Sequence, residues 1–412
     1  MLAPNGAIGG ATPRLEHLLL PTLLLVRLTV HKSRQNLIHP IQLLYLAWFM
    51  WVVVITCFST YPANWIALVM DLRFIGVLFI FTSIKWEEKD LTAFSLLALA
   101  LTLPVAVFSV GQVLGFSWAT TLTHSGYSPA NALVVGLQLD ALQSGTIFRA
   151  LGVFGNVSPA GGYFALSVAT GLFLFASAWR RFDFARRVLL VVGVLSGLVG
   201  GLSTLSATFF GGIICAGPVT LAIVGPGFRK SILKVIAVIM VSIIGLGLIG
   251  VAINENLRDQ FEYVGTSFLS GEKFLDRYGA TDISGENDSV TRGATKEIST
   301  RPLQGVGEVS NDTFKGDSFY IAILYSGGII GLALFLLPTT LLSIISWRLN
   351  GIARLGGVWI AMFLLVGIST GGFLLARVGD WWWAIQGIIL SLAFGRRNSE
   401  EQNPTGVPVD PQ

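Results

Sequence analysis

The chain has 412 residues, of which 53% are hydrophobic and only 12% charged, with a formal net charge of +4 and a mean hydropathy of +0.71. Soluble proteins carry about 25% Asp, Glu, Lys and Arg, so the balance excludes an ordinary soluble domain. The alternation of a membrane β-barrel is also absent, and the Lys and Arg residues lie in short clusters between apolar runs, a topology signal rather than a nucleic-acid surface.

Taken in chain order, Met1–Arg14 is Gly- and Pro-rich and lacks the basic region of a signal peptide. Apolar runs then follow at Leu15–Val30, Ile38–Ser59, Trp65–Ile84 and Leu91–Leu114, most of them close to the roughly 20 residues that cross a bilayer as a helix. Asp71 and Arg73 fall near the start of the third run, placed to pair or to line a cavity. A loop, Gly115–Val157, carries Arg149 near its end. Further runs are Pro159–Ala178, Val188–Leu202, Thr208–Val224 and Val235–Ile253. The segment Asn254–Gly316 is different in kind, because it holds more than a third of all the Asp, Glu, Lys and Arg residues. Phe319–Ser343, Gly357–Leu375 and Trp383–Phe394 complete the apolar runs, and Asn398–Gln412 is a polar tail.

Backbone groups in lipid must be satisfied within the segment, so the pattern predicts an all-α polytopic bundle of about eleven spans. Membrane helices occupy 1–253, including the loop 115–157. A large loop follows over 254–316, then C-terminal membrane helices over 317–395 and a disordered tail over 396–412. Alternate loops are basic: Lys32 and Arg34, Arg180–Arg181 with Arg186–Arg187, Arg229–Lys230, Arg348 with Arg354, and Arg396–Arg397. The positive-inside rule makes these cytoplasmic, and both long loops then fall together on the outer side. Cys57 and Cys215 lie within apolar runs and read as small core residues. His17, His31, His39 and His124 have no ligand spacing. Gly197/Gly201, Gly327/Gly331 and Gly367/Gly371 have the spacing that lets helices approach closely, and Trp381–Trp382–Trp383 reads as an interfacial aromatic belt.

Within the long outer loop, Leu257, Phe261, Val264 and Phe268 recur at helical spacing, with Arg258 on another face. This is an amphipathic helix lying at the interface, as a cap on the bundle or a lid over a headgroup. Arg292 and Lys296 share a face of a second helix that Pro302 closes. Beside them, Gly305–Val306–Gly307 forms a turn whose amides suit a phosphate. Asp317 stands where the chain re-enters the membrane, either as the N-cap of the next helix or as a carboxylate with work to do at the junction. Glu308 and Asp312 are nearby carboxylates. Arg377 and Asp380 share a short outer turn and are placed to pair with each other.

Three segments together resemble the O-antigen ligase and polymerase superfamily of bacterial membrane glycosyltransferases. Phe148–Arg149–Ala150–Leu151–Gly152–Val153–Phe154–Gly155–Asn156 is similar to its Arg-x-x-Gly-x-Phe element. Thr291–Arg292–Gly293 through Arg301–Pro302–Leu303–Gln304–Gly305–Val306–Gly307 is similar to its Arg-bearing loop helix ending in Pro-x-x-Gly-x-Gly. Asp317–Ser318–Phe319–Tyr320 with Gly327–Gly328–Ile329–Ile330–Gly331–Leu332 is similar to its re-entry signature. Ligases of the family carry His-Asn at the re-entry point, so Asp317–Ser318 favours a polymerase-like member. The Ser-Arg pair of many members has no Arg counterpart in Leu202–Thr208.

The resemblance implies a GT-C-like bundle in the bacterial cell membrane, with its long loops extracytoplasmic and its C-terminus cytoplasmic. It implies a metal-independent, cofactor-free inverting transferase that joins undecaprenyl-pyrophosphate-linked repeat units into surface polysaccharide. Asp317 is then the catalytic base, and Arg149, Arg292 and Lys296 hold the pyrophosphate, with Glu308, Asp312, Arg258 and Arg377 as further candidates. The partners implied are the lipid-linked glycans, the bilayer, a chain-length regulator and a flippase, with no nucleic acid. Three alternatives remain open: a ligase transferring glycan to lipid A core or another acceptor, a flippase or transporter of the same glycans, and a purely structural membrane subunit.

Overall fold

The computed structural model describes residues 39–119, 150–154, 157–224, 297–309, 318–368 and 378–402. Among these residues the chain is helical, with short 3-10 turns and an isolated β-bridge between Ala63 and Val309. Helix α1 (Pro40–Cys57) begins where His39 Nδ1 accepts the Ile41 N–H at 3.1 Å and Gln42 Oε1 accepts the His39 N–H at 2.9 Å, a reciprocal cap with Pro at the first position. Asn64 caps α2 (Trp65–Ser83) by accepting the Ala67 N–H at 3.2 Å. There follow α3 (Glu88–Val113), α4 (Val157–Ala178), α5 (Phe184–Thr204) and α6 (Ala207–Ile223). After the long loop come α7 (Phe319–Arg348), α8 (Leu355–Val366) and α9 (Val378–Gln402).

Among the described residues, five segments are long and apolar enough to cross a membrane: Pro40–Cys57, Glu88–Val113, Val157–Arg181, Phe184–Thr204 and Phe319–Arg348. Thr208–Ile223 and Gly351–Val366 are apolar but shorter. The expected runs Leu15–Val30 and Val235–Ile253 lie outside the described residues.

Helix α5 packs along α3 and α4, α6 lies against α4 and α8, α1 runs along α7, and α2 runs along α9. The seam between α1, α7 and α9 is aromatic: Tyr45, Trp48, Phe335, Trp382 and Trp383 are all fully buried there, with ring centroids 4.8–6.1 Å apart for Tyr45–Trp383, Trp48–Phe335 and Phe335–Trp383. Tyr45 Oη stitches the three helices together through Thr339 Oγ1 at 2.9 Å and Gln386 Oε1. The Trp run is therefore not an interfacial belt at Trp382 and Trp383. Successive residues of a helix turn by about 100°, and α9 has protein on the sides those two rings face. Cys57 is exposed, against the expectation of a core residue, and Cys215 is half-buried.

The helix ends sort into two sets. At one, His39 meets Phe394 at 4.9 Å, the Trp86 N–H reaches Ser391 Oγ at 3.4 Å, and a Cβ at Gly351 would stand 3.0 Å from the Glu88 carboxylate. The Trp179–Arg181 and Gly351–Arg354 turns also belong to this end. At the opposite end Gln112 meets Gly152, Ser203 meets Ala150, Ser318 meets Gly367 and Asn64 meets Glu308. The described basic turns thus share one end, and the described parts of both long loops share the other.

Candidate functional site

At the loop-bearing end, α7 is broken. Gly328 has φ 63° and ψ −163°, a conformation open essentially only to glycine. The break strands backbone groups on both sides, and the loop that includes Pro302 fills them. Val306 N–H donates to Tyr325 O at 2.7 Å and Gly307 N–H to Ser326 O at 3.0 Å. In the other direction Ile329 N–H donates to Pro302 O at 2.9 Å and Ile330 N–H to Leu303 O at 3.1 Å. Trp51 Nε1 of α1 satisfies the remaining carbonyl, Gly327 O, at 2.8 Å.

The loop glycines are required by closeness as well as by φ. Gly305 (φ +73°) and Gly307 (φ +92°) leave no room for a Cβ, which would stand 2.5 Å from Gly328 N and 2.7 Å from Thr56 Cα respectively. The next residue, Glu308, is buried; its N–H donates to Thr56 Oγ1 at 2.8 Å and its carbonyl accepts the Asn64 N–H at 2.8 Å. Gly305 N–H is spent on Arg301 O at 2.9 Å. Four consecutive amides, from Gly305 to Glu308, are therefore committed within the protein. This corrects the expectation of a phosphate-binding Gly turn: the glycines serve a main-chain lock.

Beside the lock, Tyr61 Oη donates to Glu297 Oε1 at 3.0 Å, joining the α1–α2 turn to the loop. That hydrogen bond, together with the Glu297 charge, raises the Tyr61 phenol above its ordinary range, while the Arg301 charge acts weakly the other way. Val306, Val309 and Tyr325 form a small apolar cluster beneath, flanked by Tyr61, Ile298 and Ile321.

The Arg-x-x-Gly-x-Phe element is held just as firmly from Ala150 onward. Ala150 N–H donates to Ser203 O at 2.8 Å. Gln112, fully buried, accepts the Leu151 and Gly152 N–H groups at 3.0 and 2.9 Å and donates back to Gly152 O at 3.3 Å. Phe154 packs on Tyr163 with centroids 5.1 Å apart.

The re-entry junction starts one residue later than the sequence implies. Ser318, not Asp317, occupies the N-cap of α7. Ser318 Oγ and the Phe319 N–H both donate to Gly367 O, at 3.3 and 3.0 Å, tying the start of α7 to the end of α8. Gly367 is thus a helix end rather than a helix-packing position. The preceding residue, Val366, would contact a Cβ at Gly162 at 2.9 Å, and a Cβ at the adjacent Gly161 would meet Ser206 at 2.8 Å. Contacts therefore run from the re-entry junction across α8, α4 and the α5–α6 turn to the Gly152 seat.

Of the residues singled out in the sequence, Glu308 is described. Arg149, Arg258, Arg292, Lys296, Asp312, Asp317 and Arg377 lie outside the described residues. Asp380 has an interhelical partner: Arg73 Nε donates to Asp380 Oδ1 at 3.1 Å, and a second bond joins Nη2 to Oδ2; the expected pairing with Arg377 falls outside the described residues. Asp71 and Arg73 are both buried. Among the described residues no three His, Cys, Asp or Glu side chains gather as metal ligands. Sequence reading passed over Trp51, Thr56, Gln112, Tyr61 and Glu297; only Gln112, a polar residue in an apolar run, carried a signal that sets it apart.

No protein-family model, curated protein or solved structure matches this chain.

Proposed function

We propose that the protein is a membrane glycosyltransferase that polymerises lipid-pyrophosphate-linked oligosaccharide units on the outer face of the bacterial cell membrane. The observation carrying this reading is the lock itself. Two of the three segments on which the resemblance rests, Pro302–Gly307 and Gly327–Gly331, lie apart in sequence yet join through two main-chain hydrogen bonds, at Ile329 and Ile330, with two more to the adjoining Tyr325 and Ser326. The third, ending in Gly152–Phe154, is rigidly seated at the same end of the bundle.

In the proposed reaction an acceptor sugar hydroxyl attacks the anomeric carbon of the donor glycan, and the bond from that carbon to the pyrophosphate oxygen breaks with inversion. The proton goes to a carboxylate, assigned to Asp317, and the leaving pyrophosphate keeps the bonding electrons. Its growing charge is offset by Arg149, Arg292 and Lys296. Glu308 is the less suitable base. It is enclosed beside the lock, and its place there is set by main-chain bonds to Thr56 and Asn64.

The break in α7 also bears on the transporter alternative. Transporters use the ends of broken helices to bind substrate or ions. Here Tyr325 O, Ser326 O, Gly327 O, Ile329 N–H and Ile330 N–H are all taken by the loop and Trp51, which leaves the break little to offer a ligand.

The test is to delete the gene and size the lipid-linked and surface glycans on a gel. Single repeats retained on lipid are expected. Long chains on lipid would make the protein a ligase, repeats facing the cytoplasm a flippase, and an unchanged profile would end the reading. In the restored protein, Asp317→Asn should remain inserted yet make little polymer, with partial activity for Asp317→Glu. A normal ladder from the Asn variant would remove Asp317 from the mechanism.

A further inference from the structure

We infer that the turn at Pro302–Gly305 is a re-entrant element whose tip, Leu303, inserts among the lipid acyl chains of the leaflet at the loop-bearing end. The loop then sits partly in the membrane as well as in water.

Depth is the first argument. Leu303 O bonds to Ile330 N–H and Pro302 O to Ile329 N–H, so the turn lies level with those two residues of α7. Both are exposed, at 51% and 38%, and they begin an exposed apolar stripe that continues through Leu337, Leu341, Ile344 and Trp347. Before the break, from Ser318 to Gly328, the described side chains are buried or half-buried. From Ile329 to Arg348 the helix alone is about 30 Å long at about 1.5 Å per residue, which matches the hydrocarbon thickness. The lipid-facing part of α7 therefore begins where the turn is attached. The neighbouring helix agrees: Trp51 reaches Gly327 O, and on α1 Met50 and Val54 flank that level, exposed at 50% and 42%.

Chemistry is the second argument. Leu303 is 61% exposed, and no charged residue stands between Arg301 and Glu308. Irregular backbone is tolerated at membrane depth only when its polar groups are satisfied by protein. Most of this turn meets that condition: the Pro302 and Leu303 carbonyls and the Gly305, Val306 and Gly307 amides have partners in the protein, and Pro302 has no N–H to satisfy, which leaves the Leu303 N–H and the Gln304 N–H and carbonyl at the tip. The occupant of this face is thus the hydrocarbon of bilayer lipids, continuous with the stripe on α7.

The test uses the full chain with Cys57→Ser and Cys215→Ser, reconstituted in phosphatidylcholine and phosphatidylglycerol vesicles. Nitroxide labels are placed singly at Leu303→Cys, at Ile344→Cys on the lipid-facing stripe, and at Asn350→Cys in the exposed turn after α7. Collision rates with oxygen, which concentrates in lipid, and with a water-soluble nickel chelate are then compared. The label at position 303 should match that at 344, with high oxygen and several-fold lower nickel accessibility than at 350. A 303 label resembling 350 would place the turn in water. A label reached by neither reagent would mean that protein covers it, and either result overturns the inference. Because no glycan is involved, the outcome is separate from that of the polymerase reading.

Discussion

Between α4 and α5 glycine acts through the side chain it lacks. Gly197 lies in regular helix, and a Cβ there would meet Val168 Cγ2 at 2.9 Å; at Gly201 a Cβ would collide with the Phe209 ring of α6. At the α7 break glycine acts through its backbone: Gly328, Gly305 and Gly307 all have positive φ, and a Cβ on any of them would strike main chain. A side chain in the way can turn or be shortened, whereas a main-chain obstacle is fixed by the hydrogen bonds that define the element. The helix-packing region should therefore tolerate compensated change, and the lock should not.

The largest effect is expected for Gly328→Ala. Its φ/ψ alone costs about 1–3 kcal/mol for any other residue, and the clash with Leu303 adds to that. Folded protein recovered after detergent extraction should fall sharply, and no second side-chain change should restore it. Rescue of Gly328→Ala by any single side-chain substitution would break the comparison.

Next in size is the interhelical pair of α2 and α9. Arg73→Met removes this partner from Asp380, whose side chain is 30% exposed, a loss of about 1.5–3 kcal/mol on the scale of hydrogen bonds to charged groups. Adding Asp380→Leu should recover most of the loss in a thermal unfolding assay, because this link is made of side chains only. Failure of the double variant to recover would show that the pair does more than hold α2 to α9.

Gly201→Ala should cost about 1–3 kcal/mol, as overpacking does, and Phe209→Leu in the same chain should restore much of it. A Gly201→Ala variant no more stable with Phe209→Leu than without it would move this region into the same class as the lock.

The smallest effect concerns Tyr61 at the rim. Its phenol is raised, first by the hydrogen bond to Glu297. The neutral form makes that bond, so its contribution is complete below the ordinary value of about 10 and is lost as pH rises through the raised value. Glu297→Gln should bring Tyr61 ionisation down, read from tyrosinate absorbance against a Tyr61→Phe control. An unmoved titration would show that Glu297 does not govern the phenol, and that the rim contact is incidental to the lock.

Much of the helix layout was legible in the sequence. Ile38–Ser59 is observed as Pro40–Cys57, Leu91–Leu114 as Glu88–Val113, and Thr208–Val224 as Ala207–Ile223, because hydropathy and flanking polar residues act locally. The ends of α1 and α2 carry readable caps in His39–Gln42 and Asn64. The lock was half legible. Pro302 and the Gly305–Gly307 pair announced a turn, but its amides pointed to phosphate only while their partners were unknown. Likewise Gly327/Gly331 has the spacing of a helix-packing motif, yet these glycines face the Trp51 indole, which a Cβ would meet at 3.6 Å from Gly327 and 3.5 Å from Gly331.

By itself the sequence determined that the chain is helical, where most of the described helices run, and which turns carry positive charge. These follow from properties of neighbouring residues: apolar length, caps and charge. Tertiary structure alone decided that α7 breaks at Gly328, that the loop holding Pro302 repairs the break, that Arg73 pairs with Asp380, and that Trp382 and Trp383 are core. Each depends on a partner distant in sequence, as Trp51 is from Gly327, Arg73 from Asp380 and Tyr45 from Trp383. A stranded carbonyl or a buried charge is stable only once that partner has arrived, and nothing in the local pattern specifies which partner it will be.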